Sequence, residues 1–174
     1  MFSFLADPAL ERTADFQDEN HKFDAYLRYL RSIQGMLPVS AFAFATAPWH
    51  YNVSDHRCPC GARLESLTLS YAHHQANPLK STLMCNVRLL GSRHDGHVDL
   101  QYRDVTSYEL ALQQQSSHSL AQGAHVTWLV DEVRLSATNH VLHEVVFAES
   151  GRWLIECADV RCWWRPLSRI ARHS

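Results

Sequence analysis

Cys58-Pro59-Cys60-Gly61, with His50 and His56 just upstream, is the densest group of metal-ligating side chains in the chain. Thiolates and imidazoles on a sharply turning Pro/Gly loop are the ligand types of a tetrahedral zinc site. The one-residue gap between the cysteines departs from the usual two, and no second cysteine pair follows. A full shell would therefore need further histidines or a distant thiol from Cys85, Cys157 or Cys162. The competing expectation is an exposed turn with ordinary thiols. His94-Asp95-Gly96-His97 falls on an expected hairpin turn, where both rings could reach one metal ion, although exposed turn residues are the simpler expectation. His140 and His143, followed by Glu144, superficially resemble a catalytic zinc motif, but that motif requires histidines one helical turn apart. On a strand, residues three apart point to opposite faces.

Acid–base chemistry has candidates in Asp131, Glu132, Glu144, Glu156 and Asp159, carboxylates on neighbouring expected strands. Two of them in one cleft would push each other's pKa values apart. Cross-pairing with Arg134, Arg152 and Arg161 on a sheet face is the simpler expectation. The sequence has no Gly-x-Ser-x-Gly turn, glycine-rich phosphate loop or dinucleotide fingerprint, so no catalytic residue is assigned. An enzyme or ligand-binding barrel would place His143, Glu144 or Glu156 at the mouth of a pocket. Cys85 and Cys157, in phase with apolar neighbours, read as core thiols.

Surface recognition has its own candidates. Trp163 and Trp164 are adjacent, so a strand cannot turn both inward, and Arg161 and Arg165 flank them. Trp and Arg anchor protein interfaces, the one by large rigid area and the other by charge-assisted hydrogen bonds. The expected partner-binding set is Trp128, Asp131, Glu132, Glu156, Asp159, Trp163, Trp164 and Arg165.

These residues must be held by a framework, and its pattern changes along the chain. Asp7 and Pro8 suit the N-cap and first turn of a short helix continuing through Leu10, Thr13 and Ala14. Phe23, Tyr26, Leu27, Leu30, Ile33 and Leu37 recur at three- and four-residue steps, which predicts an amphipathic helix over 19–37, stopped by Pro38. Val39 to Thr46 reads as a short strand, followed by an irregular loop to residue 61. From residue 62 the period becomes two: Leu67, Leu69 and Tyr71; Leu83, Cys85, Val87 and Leu89; Val98, Leu100 and Tyr102; Tyr108, Leu110 and Leu112. Turn formers at 76–78, 94–96, 137–139 and 150–151 separate the runs, and three final strands are expected at about 125–136, 141–149 and 152–165. The expected fold is α+β: two N-terminal helices packed on a mainly antiparallel sheet of six to eight strands, as a sandwich or a partly closed barrel. One domain covers 1–174, helical over 1–38 and β over 62–165.

The 174 residues are 46 % hydrophobic and 20 % charged with 6 Gly and 6 Pro, which excludes disordered, collagenous and low-complexity classes. Sixteen Lys and Arg against eighteen Asp and Glu provide no basic excess for a nucleic-acid binder. The first ten residues lack a basic stretch and the longest apolar run is too short to span a bilayer, so a cytoplasmic protein with no membrane partner is expected. Five cysteines, an odd number, fit reduced thiols better than a disulfide framework.

The small size, acidic beginning, antiparallel meander and lack of a catalytic signature resemble the small bacterial immunity proteins that neutralise a partner toxin. The resemblance implies a cognate toxin as partner, occlusion as mechanism and no cofactor; it carries over no functional residues. The leading expectation is a non-enzymatic protein-binding domain, followed by the pocketed enzyme or binding barrel and by a zinc-stabilised domain.

Overall fold

A computed structural model describes residues 16–74, 77–111, 126–148 and 151–167. These form two helices, α1 (Phe16–Ser32) and α2 (Val39–Ala45), and six strands: β1 (Arg63–His74), β2 (Asn77–Leu90), β3 (Gly96–Ala111), β4 (Trp128–Leu135), β5 (Val141–Phe147) and β6 (Arg152–Pro166). The strands make one antiparallel sheet in the order β1-β2-β3-β6-β5-β4. Two three-stranded meanders are thus joined along β3 and β6. The architecture is α+β and mostly sheet. Among the described residues, no helix is long and apolar enough to cross a membrane.

The 23–37 periodicity is realised as expected: Tyr26, Leu30, Ile33 and Leu37 are buried. The helix itself ends at Ser32, and the chain continues in turns to Leu37. The shorter helix expected at 7–14 lies outside the described residues. Val39–Ala45 is a correction, because the expected strand is α2. Its alternation of Ala and Phe over residues 41–45 reads equally as period two or as a buried helical face. Ala41, Phe44 and Ala45, at i, i+3 and i+4, are the residues that go inside.

The run at 98–102 and the described part of the run at 108–112 belong to one sixteen-residue strand, β3. The apolar alternation lapses between them, over Arg103–Ser107, where only Val105 is apolar, and this concealed their continuity. Val98, Leu100 and Tyr102 face inward, then Asp104 takes a left-handed φ of 52° and Val105 becomes the inward residue. Beside it, β6 changes from Trp153, Ile155 and Cys157 to Val160. Such irregularities bend a strand and add to its twist.

The curvature brings the ends of the sheet together. Gly61 N–H donates to the Trp128 carbonyl at 2.8 Å, Trp128 N–H to Ala62 at 2.9 Å and Leu64 N–H to Val126 at 2.9 Å, around one bridge between Arg63 and Thr127. Among the described residues the contact joins one end of the edges only, and the sheet is not closed. Inside the curve, side chains of α1 and α2 pack against those of β2 to β6 in one buried cluster, with Trp128, Trp153, Tyr26, Tyr102 and Phe147 its largest members.

Candidate functional site

Two constellations gather the residues that could do chemistry, one inside the sheet and one outside. Asp131 is at the centre of the first. On β4 it is in phase with Val133, so it points inward with the apolar residues and is 1 % exposed. His50 Nε2 lies 3.0 and 2.8 Å from its two oxygens, His143 Nε2 donates to Oδ2 at 2.9 Å, and Trp128 Nε1 donates to Oδ1 at 3.0 Å. On its other side, His50 Nδ1 is 2.9 Å from the Phe44 carbonyl oxygen. A carbonyl and a carboxylate can only accept, so both contacts are satisfied only when both ring nitrogens carry hydrogen, as an imidazolium. Its ring is stacked between Phe44 and Tyr51, each centroid at 4.1 Å, a setting suited to a cation. His143 needs no charge, because the Tyr102 hydroxyl, 2.8 Å from Nδ1, can donate to it.

Burial alone would raise the Asp131 pKa, but the charge of His50 and the hydrogen bonds from both histidines outweigh it, holding the carboxyl well below its usual range. One carboxylate and one imidazolium thus cancel in a dry, fully bonded cluster. His50, Asp131 and His143 are between 0 and 1 % exposed, so no substrate reaches them. This arrangement supports the core and the loop that carries His50.

That placement corrects several expectations. Trp128, Asp131 and Glu132 are buried and offer no surface to a partner. Asp131, Glu132, Val133 and Arg134 are all buried, so both faces of this part of β4 are covered. His143 and Glu144 are buried as well, not at a pocket mouth. Glu132 and Glu144 stand opposite each other on β4 and β5, and arginines hold them: Glu144 accepts from Arg152 Nε at 2.8 Å and from Arg134, and Arg134 Nε is 3.5 Å from Glu132. Glu156 accepts from Thr138 and lies 3.6 Å from His140, while Asp159 accepts from Ser40 at 2.6 Å and from Arg161 at 3.1 Å.

The proposed zinc ligands are divided among different partners. His50 belongs to Asp131; His56 is 3.3 Å from Asp95 and stacks on Trp164; Cys58 donates its thiol hydrogen to the His50 carbonyl at 2.9 Å; Cys60 is half-buried. Among the described residues, no three His, Cys, Asp or Glu side chains are grouped to hold a metal. Burial pushes the Cys58 thiol up to about 11.

The second constellation is on the outer face. Arg88, Asp99 and Trp163 stand side by side on β2, β3 and β6. Asp99 Oδ1 accepts from Arg88 Nε at 2.9 Å and Oδ2 from Arg165 Nε at 2.6 Å, while the Arg165 guanidinium lies 6.0 Å over the Trp163 ring. The carboxylate is nearly buried, yet the two arginine side chains are 41 and 54 % exposed. With Ser66, Thr68 and Asn86 they line a shallow depression of about 230 Å³. One acid thus fixes two cations beside an exposed indole, a hydrogen-bonding patch in which Glu65 also lies near Arg88.

The chain matches no protein-family model, no curated protein and no solved structure. The site is therefore read from its own geometry. Of the expected interface residues, Trp163 and Arg165 lie on this patch, whereas Trp164 points inward between Gly91 and Gly96. Arg88 and Asp99 were not singled out in the sequence. A signal existed, since the two are equally distant from the turn at Arg93-His94, and a hairpin folded there pairs them.

Proposed function

We propose that the chain is a non-enzymatic binding protein whose working surface is the outer face of β2, β3 and β6, and that it recognises an acidic protein surface. The observation that supports this reading is the clamp of Arg88 and Arg165 on Asp99 beside Trp163. Two guanidiniums fixed by a shared carboxylate lose little freedom on meeting an acidic side chain, and the indole supplies area. The resemblance to toxin-immunity proteins makes a cognate toxin the specific partner of this proposal, neutralised by occlusion. Binding needs no cofactor.

The immobilised chain should retain a stoichiometric protein partner from extracts of its host, and the Trp163→Ala and Arg88→Ala/Arg165→Ala variants should lose it while keeping their circular dichroism spectra. For a toxin partner, co-expression of the wild type should restore growth and co-expression of the variants should not. Undiminished retention by both variants would overturn this assignment of the surface.

A further inference from the structure

The two edges of the sheet are finished differently. On β4, the edge beyond β5 is covered by tyrosine hydroxyls at every second residue. Tyr51 donates to the Asp131 carbonyl at 3.2 Å, Val133 N–H donates to Tyr26 Oη at 2.7 Å, and Leu135 N–H donates to Tyr29 Oη at 3.1 Å. Backbone groups that would otherwise attract a foreign strand are thereby occupied. At the opposite edge, β1 pairs with β2 on one side, and only its first residues reach 126–127 on the other. Among the described residues, nothing pairs with the outer edge of Ser66–His73. From Ser66 to His73 both faces of the strand are largely exposed, Tyr71 at 66 %.

Edge strands of soluble proteins usually carry a lysine, a proline, a bulge or an inward charge as protection against pairing. Ser66-Leu67-Thr68-Leu69-Ser70-Tyr71-Ala72 carries no charge and no proline, and its register with β2 is unbroken from Ser66 to His73. The segment Ser66–Ser70 also reads the same in both directions. Antiparallel pairing with itself about Thr68 sets Ser66 against Ser70, Leu67 against Leu69 and Thr68 against Thr68. Hydroxyls meet hydroxyls on one face and leucines meet leucines on the other, which are favourable cross-strand combinations. Extending the register one step sets Glu65 against Tyr71, so no like charges oppose each other.

We propose that β1 is a self-association edge, through which two copies of the chain join as a two-fold dimer about Thr68. A two-fold interface uses the same patch on both copies, and a palindromic strand satisfies that requirement residue by residue. Two six-stranded sheets become one continuous sheet. The Ser66 and Thr68 hydroxyls that line the Arg88–Arg165 depression lie at the junction, so both depressions fall on one extended surface. The proposal stands independently of what that surface binds.

Sedimentation of the full chain from micromolar to near-millimolar concentration tests it. The mass should rise from 19.9 kDa toward twice that value. Thr68→Lys, which brings two like charges face to face, should weaken the dimer at least about tenfold, whereas Thr68→Val should leave it within about threefold. Thr68→Cys should form an intermolecular disulfide between two copies of residue 68, located by peptide mass mapping. A monomer at every concentration overturns the proposal, as does a dimer indifferent to Thr68→Lys or one that cross-links elsewhere in preference to residue 68.

Discussion

Asp131 shows how much a single buried side chain can be asked to do. Its carboxylate serves His50, His143 and Trp128 at once, accepting a ring or indole hydrogen from each. Asp131→Ala should destabilise the chain by about 3–5 kcal/mol in denaturant unfolding, because it strands a buried cation; Asp131→Asn should cost less, since the amide oxygen still accepts. The acid dependence has a definite sign. The carboxyl titrates well below its ordinary range when folded and at about 3.9 when unfolded. Its contribution is therefore complete above the unfolded value and is lost as pH falls toward the folded one. The wild type should lose stability more steeply on acidification below about pH 4 than Asp131→Asn, whose side chain does not titrate. Nothing in the sequence joins His50 to Asp131, which are 81 positions apart. Both were singled out, but for a zinc loop and for a surface. Gly96 provides a steric counterpart: a Cβ there would stand 2.2 Å from the Trp164 ring. Gly96→Ala should lower stability by about 1–3 kcal/mol, as overpacking does, and should shift the near-ultraviolet signal of Trp164.

At the scale of elements, α1 is a core helix and also the finish of an edge. Tyr26 reaches 107 positions along the chain to accept from Val133 N–H and donate to its carbonyl. Tyr26→Phe keeps the ring in the core and removes only the hydroxyl, leaving a buried amide without its partner. The expected loss is about 1–3 kcal/mol, together with faster hydrogen exchange at Val133 than at its neighbours in β5. The apolar stripe of α1 was plain in the sequence because three- and four-residue steps persist over four turns. The hairpins were plain because turn residues interrupt period-two runs, with Asn139 at a φ of 61° where such a residue is at ease. α2 was not legible, since five residues of alternating Ala and Phe in a seven-residue helix are too few for the two periods to diverge. The continuity of β3 through Asp104 was lost because Arg103–Ser107, apolar only at Val105, interrupts the alternation, and an interruption looks like the gap between two strands.

For the whole molecule, curvature separates the chemistry into an inside and an outside. The inside encloses a neutralised ion cluster, while the outside presents Arg88, Arg165 and Trp163 to solvent. Because the two guanidiniums remain substantially exposed, their attraction for an acidic partner is open to screening. Raising the salt concentration should slow association several-fold while changing dissociation little, a pattern that stopped-flow mixing or surface plasmon resonance would resolve. A dissociation rate that rises with salt as steeply as association falls would place the charges in a buried interface instead. The loop between α2 and β1 holds one further consequence. Cys58, buried and hydrogen-bonded to the backbone of His50, has almost no thiolate at neutral pH while the loop is seated. The thiol is then a clock set by the ion cluster: its alkylation rate, followed peptide by peptide, counts how often the loop lifts from the sheet, and each change at Asp131 or His50 can be timed without unfolding the rest.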